Sequence, residues 1–107
     1  MNSIKRQRTV FALILLFAAS VLLSACLTVG KSFPDYAVPD IKIGKTTESE
    51  IRKLFGPPWR TGMDDGDRTW TYGHYRYSLF QDAKTEDLVI RFDKDGVVSS
   101  YTFNTTD

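Results

Sequence analysis

A chain of 107 residues has room for one small domain, and its 14 Lys and Arg against 13 Asp and Glu leave a net charge of +1. That balance provides no basic footprint by which bulk charge would hold nucleic acid or anionic headgroups. A single cysteine excludes an internal disulfide, and a single histidine argues against a histidine-built metal centre.

The first 25 residues read differently from the rest. Lys5, Arg6 and Arg8 form a basic head, an apolar run follows over residues 10–23, and the small residues Ser24 and Ala25 precede Cys26. A positive head, a short apolar stretch and small residues at the cut are the three parts of a secretory signal. Its last four residues, Leu23-Ser24-Ala25-Cys26, resemble the lipobox of bacterial lipoproteins. The resemblance implies that the Cys26 thiol is diacylated, that the bond before it is cut, and that the new amino terminus is acylated in turn. A retained transmembrane helix is the rival, but crossing the hydrocarbon core takes about 20 apolar residues, and this run has fourteen with Ser20 among them. An ordinary soluble secretory signal would leave Cys26 as a lone thiol in an oxidising compartment, which is unusual. Leu27, where an Asp would argue for inner-membrane retention, favours the outer membrane by the same resemblance.

Removal of residues 1–25 takes three of the 14 basic residues and leaves 11 against 13 acidic ones, a net of −2. Membrane attachment then comes from acyl chains, each buried methylene contributing about 0.8 kcal/mol. The remaining 82 residues are marginal for a single core. Stability is expected from aromatic burial, since all five Tyr, both Trp and five of the seven Phe lie in this part.

Residues 26–40 hold Gly30, Pro34 and Pro39 and show neither helix nor strand period, so they read as an extended tether. Phe33 and Tyr36 within it either pack on the domain or meet a partner. The domain is expected over residues 41–107. Ile41 and Ile43 sit two apart, which on an extended backbone sends both to one face, and they are the second pair of candidate partner contacts. Thr47 with Glu50 three later forms a capping-box pattern, Ile51, Leu54 and Phe55 make an apolar helical stripe, and Gly56-Pro57-Pro58 stops the helix.

Strand signals dominate after it. Residues 59–62 are a short candidate strand, and Asp64-Asp65-Gly66-Asp67 is a hairpin turn. From Arg68 to about Phe80 an aromatic strand carries Trp70 and Tyr72 in one phase and Tyr75, Tyr77 and Leu79 in the other, which a bulge near Gly73 would reconcile. Leu88, Ile90 and Phe92 alternate as a half-buried strand. Asp93-Lys94-Asp95-Gly96 then turns the chain into a last strand with Val97, Tyr101 and Phe103 inward. The expected fold class is α+β: one or two short helices packed on a three- to four-stranded antiparallel meander, in two layers.

These segments in this order, Ile41-Lys42-Ile43-Gly44-Lys45-Thr46, Glu50-Ile51, Leu54-Phe55-Gly56-Pro57, Thr69-Trp70-Thr71-Tyr72, Leu88-Val89-Ile90-Arg91-Phe92 and Gly96-Val97-Val98, resemble the SmpA/OmlA (BamE-like) family of outer-membrane lipoproteins. The resemblance implies a periplasm-facing module anchored in the outer membrane, whose role is accessory: it helps the machinery that inserts β-barrel proteins and supports envelope integrity. The chain departs from the family by one extra residue between Gly44 and Ile51, by little room for the first of two usual helices, and by an acidic turn where BamE itself has an apolar residue.

Catalysis is not expected. His74 has no nucleophile placed beside it. The acidic turns around Gly66 and Gly96 lack the ligand spacing of a calcium loop and read as Asx-Gly turns. Arg60, Arg68, Arg76 and Arg91 would form an anion stripe only if they shared a face, and pairing with the acidic turns is favoured. No metal, cofactor or nucleic-acid partner is expected. Two function classes remain: a scaffold lipoprotein of the barrel-assembly machinery, or a free-standing envelope binding module of inhibitor or sensor type.

Overall fold

The computed structural model describes residues 2–23 and 26–106, so Ser24, Ala25 and the expected cleavage point lie outside the described residues. Helix α1, Asn2–Leu23, carries the basic head and the apolar run. Its side chains from residue 3 to residue 20 are exposed. Among the described residues no helix is long and apolar enough to cross a membrane.

The remainder forms a five-stranded antiparallel sheet with helical cover on one face, an α+β fold. Strand β1 is Cys26–Gly30, a 3-10 helix spans Asp35–Asp40, α2 is Glu48–Phe55, and strands β2 to β5 are Arg60–Asp64, Asp67–Ser78, Lys84–Phe92 and Val98–Thr105. β3, β4 and β5 form the expected meander. Along the other edge of β3 two short strands lie end to end: β2 pairs with residues 67–71 and β1 with residues 74–78.

Helix α2 forms as its sequence dictates. Thr47 caps it by accepting a hydrogen bond from the Glu50 N–H at 3.2 Å, and the Gly56 N–H donates to the Arg52 carbonyl at 2.8 Å. Its stripe buries Ile51 and Phe55 against the sheet, with Leu54 packed at the margin. Sheet residues Trp70, Tyr72, Leu88, Ile90, Phe92 and Val98 complete the core. The Tyr72 hydroxyl donates to the Gly56 carbonyl at 2.8 Å, tying the centre of β3 to the end of α2. Burial pushes this phenol up to about 12, partly offset by Arg52. Thr46, a buried polar residue, accepts from the Lys42 N–H at 2.8 Å.

Four local expectations are corrected. Residues 26–40 are not a structureless tether: they contain β1 and the 3-10 helix, and Phe33, Ala37 and Val38 enter the core. The alternating Cys26–Gly30 run finds an open edge on β3, and Phe33 supplies a ring that meets Phe55, Tyr72 and Phe103 at centroid distances of 6.4, 6.1 and 6.5 Å. Ile41 and Ile43 do not share a face, because the chain turns at residues 43–45: Ile41 is buried and Ile43 is 59% exposed.

No bulge occurs at Gly73. The β3–β4 register runs unbroken from Thr69↔Arg91 to Arg76↔Lys84, so Tyr75 and Tyr77 point away from the core. Strict alternation leaves the two aromatic phases of β3 on opposite faces. The irregularity lies instead in β5, where Arg91 faces Ser100 and Phe92 faces Val98. Ser99 is the extra residue, and its hydroxyl donates to the Arg91 carbonyl at 3.2 Å. It brings Val98, rather than Val97, onto the core side with Tyr101 and Phe103.

Candidate anchor edge and open sheet face

β1 attaches Cys26 directly to the sheet. Cys26 faces Ser78, Leu27 faces Tyr77 and Val29 faces Tyr75. The exposed Cys26 has its Sγ 4.0 Å from the Ser78 Oγ. At the other end of β1 the chain crosses very close to β3. Gly30 has φ +84°, and a Cβ there would lie 2.1 Å from the Gly73 carbonyl oxygen, so only glycine fits. The Lys31 N–H then donates to that same oxygen at 2.8 Å.

Residues paired across an antiparallel ladder project to the same side. Leu27, Val29, Tyr75 and Tyr77 therefore share the face of the sheet opposite α2 and the 3-10 helix. Trp59, just before β2, adds its indole to Tyr75 at 5.9 Å between centroids, and the Arg60 guanidinium lies 4.6 Å from the Trp59 ring. Partial burial beneath this stack raises the Tyr75 phenol above its ordinary range, with Asp87 and Tyr77 adding to the shift and Arg60 opposing it. Past the end of β3, Leu79 and Phe80 are 73% and 79% exposed.

The four candidate partner contacts separate. Phe33 and Ile41 are buried in the domain's own core, while Tyr36 and Ile43 stay exposed on the helical side. The apolar residues of the open face were missed as a surface. Their signal was present in the two-residue spacing of Leu27 with Val29 and of Tyr75 with Tyr77.

The charged clusters serve structure. Arg91 donates from Nε to Asp67 and from Nη1 to Asp64, each at 3.1 Å, clamping the β2–β3 hairpin to β4. Asp93 Oδ1 accepts from the Asp95 and Val97 N–H groups at 2.9 and 3.0 Å, an Asx turn. Arg68 pairs with Glu48 of α2. By register Arg60 and Arg91 lie on the open face and Arg68 and Arg76 on the other, so no single stripe forms. His74 is half-buried in a polar cleft with Asp35, Arg76, Lys84 and Glu86. Among the described residues no three His, Cys, Asp or Glu side chains are grouped to hold a metal ion.

The family model for the outer membrane protein assembly factor BamE domain matches residues 30–102. This chain belongs to the BamE family. The match spans the described fold from the end of β1 into β5. Membership associates the BamE-like chain with the outer membrane and, as an accessory factor, with its protein-assembly machinery. No curated protein matches the chain.

Proposed function

We propose that this BamE-family chain is a lipoprotein whose signal, residues 1–25, is removed. Cys26 carries the acyl chains, and the domain works on the periplasmic face of the outer membrane as a non-catalytic accessory of barrel-protein assembly. The BamE-domain match over residues 30–102 is the observation that carries the functional part of this reading. The anchor part is supported by the three-part signal ending at Cys26. In this reading Tyr36 and Ile43, both exposed on the helical side, are the residues left to meet a protein partner, while the mature domain begins at β1 with no separate tether.

Deletion of the gene is expected to raise sensitivity to detergent and to large antibiotics, and the tagged protein is expected to co-purify with the barrel-insertion machinery. Cys26→Ser is expected to leave the outer-membrane fraction and to lose the mobility shift of lipidation on a gel. A deletion strain with an intact permeability barrier would overturn the assembly role. A Cys26→Ser protein still in the outer membrane with unchanged mobility would overturn the anchor.

A further inference from the structure

We propose that the anchor end of the sheet, with Leu27 and Tyr77 on its open face and Leu79 and Phe80 just past the end of β3, lies within the headgroup–acyl boundary of the membrane that holds Cys26. The inference rests on the lipidated-Cys26 reading and adds an orientation to it. A lipoprotein domain is held off its membrane by whatever chain separates the acylated residue from the fold, at up to ~3.3–3.6 Å per extended residue. Here that separation vanishes: Cys26 is itself the first residue of β1 and is paired with Ser78. The acyl chains and the sheet corner must therefore share one depth.

The corner has the chemistry of that depth. Leu27 is 59% exposed, Tyr77 45%, Leu79 73% and Phe80 79%. They surround the anchor: Leu27 follows Cys26, Tyr77 pairs with Leu27, and Phe80 lines the same shallow hollow as Cys26. Exposed apolar side chains gathered at one corner mark an interaction site, and a tyrosine among aliphatic neighbours suits an interface that is apolar on one side and wet on the other. Arg76, Lys84 and Asp82 flank the hollow with both signs of charge. After signal removal the chain carries a net of −2, so the contact is apolar rather than a bulk attraction to anionic lipid. A protein partner is the less favoured occupant: the Cys26 side chain projects with Ser78 to the side opposite Leu27 and Tyr77, but an acylated Cys26 still brings lipid to this corner before any partner arrives.

Acylation consumes the chain's one cysteine, so a cysteine introduced elsewhere becomes the only free thiol. The full lipidated protein is reconstituted in phosphatidylcholine vesicles as Phe80→Cys, Leu79→Cys and, as a reference, Met63→Cys, each carrying an environment-sensitive maleimide dye. Met63 is 68% exposed and pairs with Arg68 at the opposite end of β3 from Ser78. Dye at positions 79 and 80 is expected to emit further to the blue than at 63, to be quenched by lipid-borne spin labels, and to be several-fold less accessible to iodide. The difference should persist at about 1 M salt, where the screening length falls to ~3 Å. Equal iodide access at 80 and 63 on vesicle-bound protein overturns the proposal, as does shielding that appears only when the assembly machinery is added. Dye uptake by the unmutated protein would reveal a free Cys26 thiol, overturning the anchor reading and this inference with it.

Discussion

The two faces of the sheet use the same residue types for different ends. On the helical side, Trp70 and Tyr72 of β3 are 7% and 3% exposed, with Phe92 meeting Trp70 at 4.8 Å and 69°. On the open side, Tyr75 and Tyr77 of the same strand pair with Val29 and Leu27 of β1, and Tyr75 meets the Trp59 ring, but α2 does not cover them. One strand thus supplies both the core and the candidate docking surface, and a shift of one residue decides which side chain serves which. Aromatic content alone does not separate stability from recognition; the phase of the strand does.

Substitutions on the two faces should differ sharply in cost. Trp70→Ala removes a ring that packs edge-on against Phe92 and lies 5.2 Å below the Arg52 guanidinium. It is expected to cost about 3–5 kcal/mol, a large share of what so small a domain has. Denaturant unfolding would measure it, and a loss under about 1 kcal/mol would break the contrast.

Gly30→Ala should come next, since it forces a side chain into positive φ against the Gly73 carbonyl. A cost of about 1–3 kcal/mol is expected, read as faster amide exchange in residues 74–78 while Leu88 and Ile90 stay protected. Uniform loss of protection would mean that β1 and the core are one cooperative unit.

Tyr72→Phe deletes the hydrogen bond to the Gly56 carbonyl, at about 1 kcal/mol. It also tests a pH dependence. The fold favours the neutral phenol, whose titration is moved from the usual range near 10 up to about 12. That contribution to stability is therefore complete below pH ~10 and lost as pH climbs toward the folded value. The phenylalanine variant should lack this component of alkaline destabilisation, measured by thermal melts across the alkaline range.

Leu79→Ser, at an exposed position on the candidate surface, should change stability by less than about 0.5 kcal/mol. His74→Ala is expected to complement a deletion strain fully in a permeability assay. A folded, correctly located His74→Ala protein that fails would point to an active role for the polar cleft.

Local signals in the sequence carried the helical layer well. Thr47, the stripe Ile51–Leu54–Phe55 and Gly56 act within a few residues of one another, and all appear as expected. The meander was legible for the same reason, through alternation and turn residues. What was not legible depends on distant pairing. Cys26–Gly30 becomes a strand only because β3 leaves an edge free, and Phe33 becomes core only because the 3-10 helix folds back over the sheet. Reconciling the two phases of β3 by a bulge assumed that every aromatic must be inside; the open face lifts that requirement. Of the proposed contacts, Tyr36 and Ile43 remain exposed, whereas Phe33 and Ile41 were claimed by the core.

The long closure that joins β1 to β3 also orders events in time. Arg76 and Lys84 meet across a short hairpin, whereas Cys26 and Ser78 are 52 residues apart. Closing larger loops costs more entropy, and contacts distant in sequence form late. The meander is therefore expected to assemble first and the Cys26 strand to dock last. During that interval the residue proposed to carry lipid sits on an unpaired segment of the chain, accessible to enzymes embedded in a bilayer. On the proposed lipid anchor, modification and folding would then run in series, with docking of β1 as the closing step.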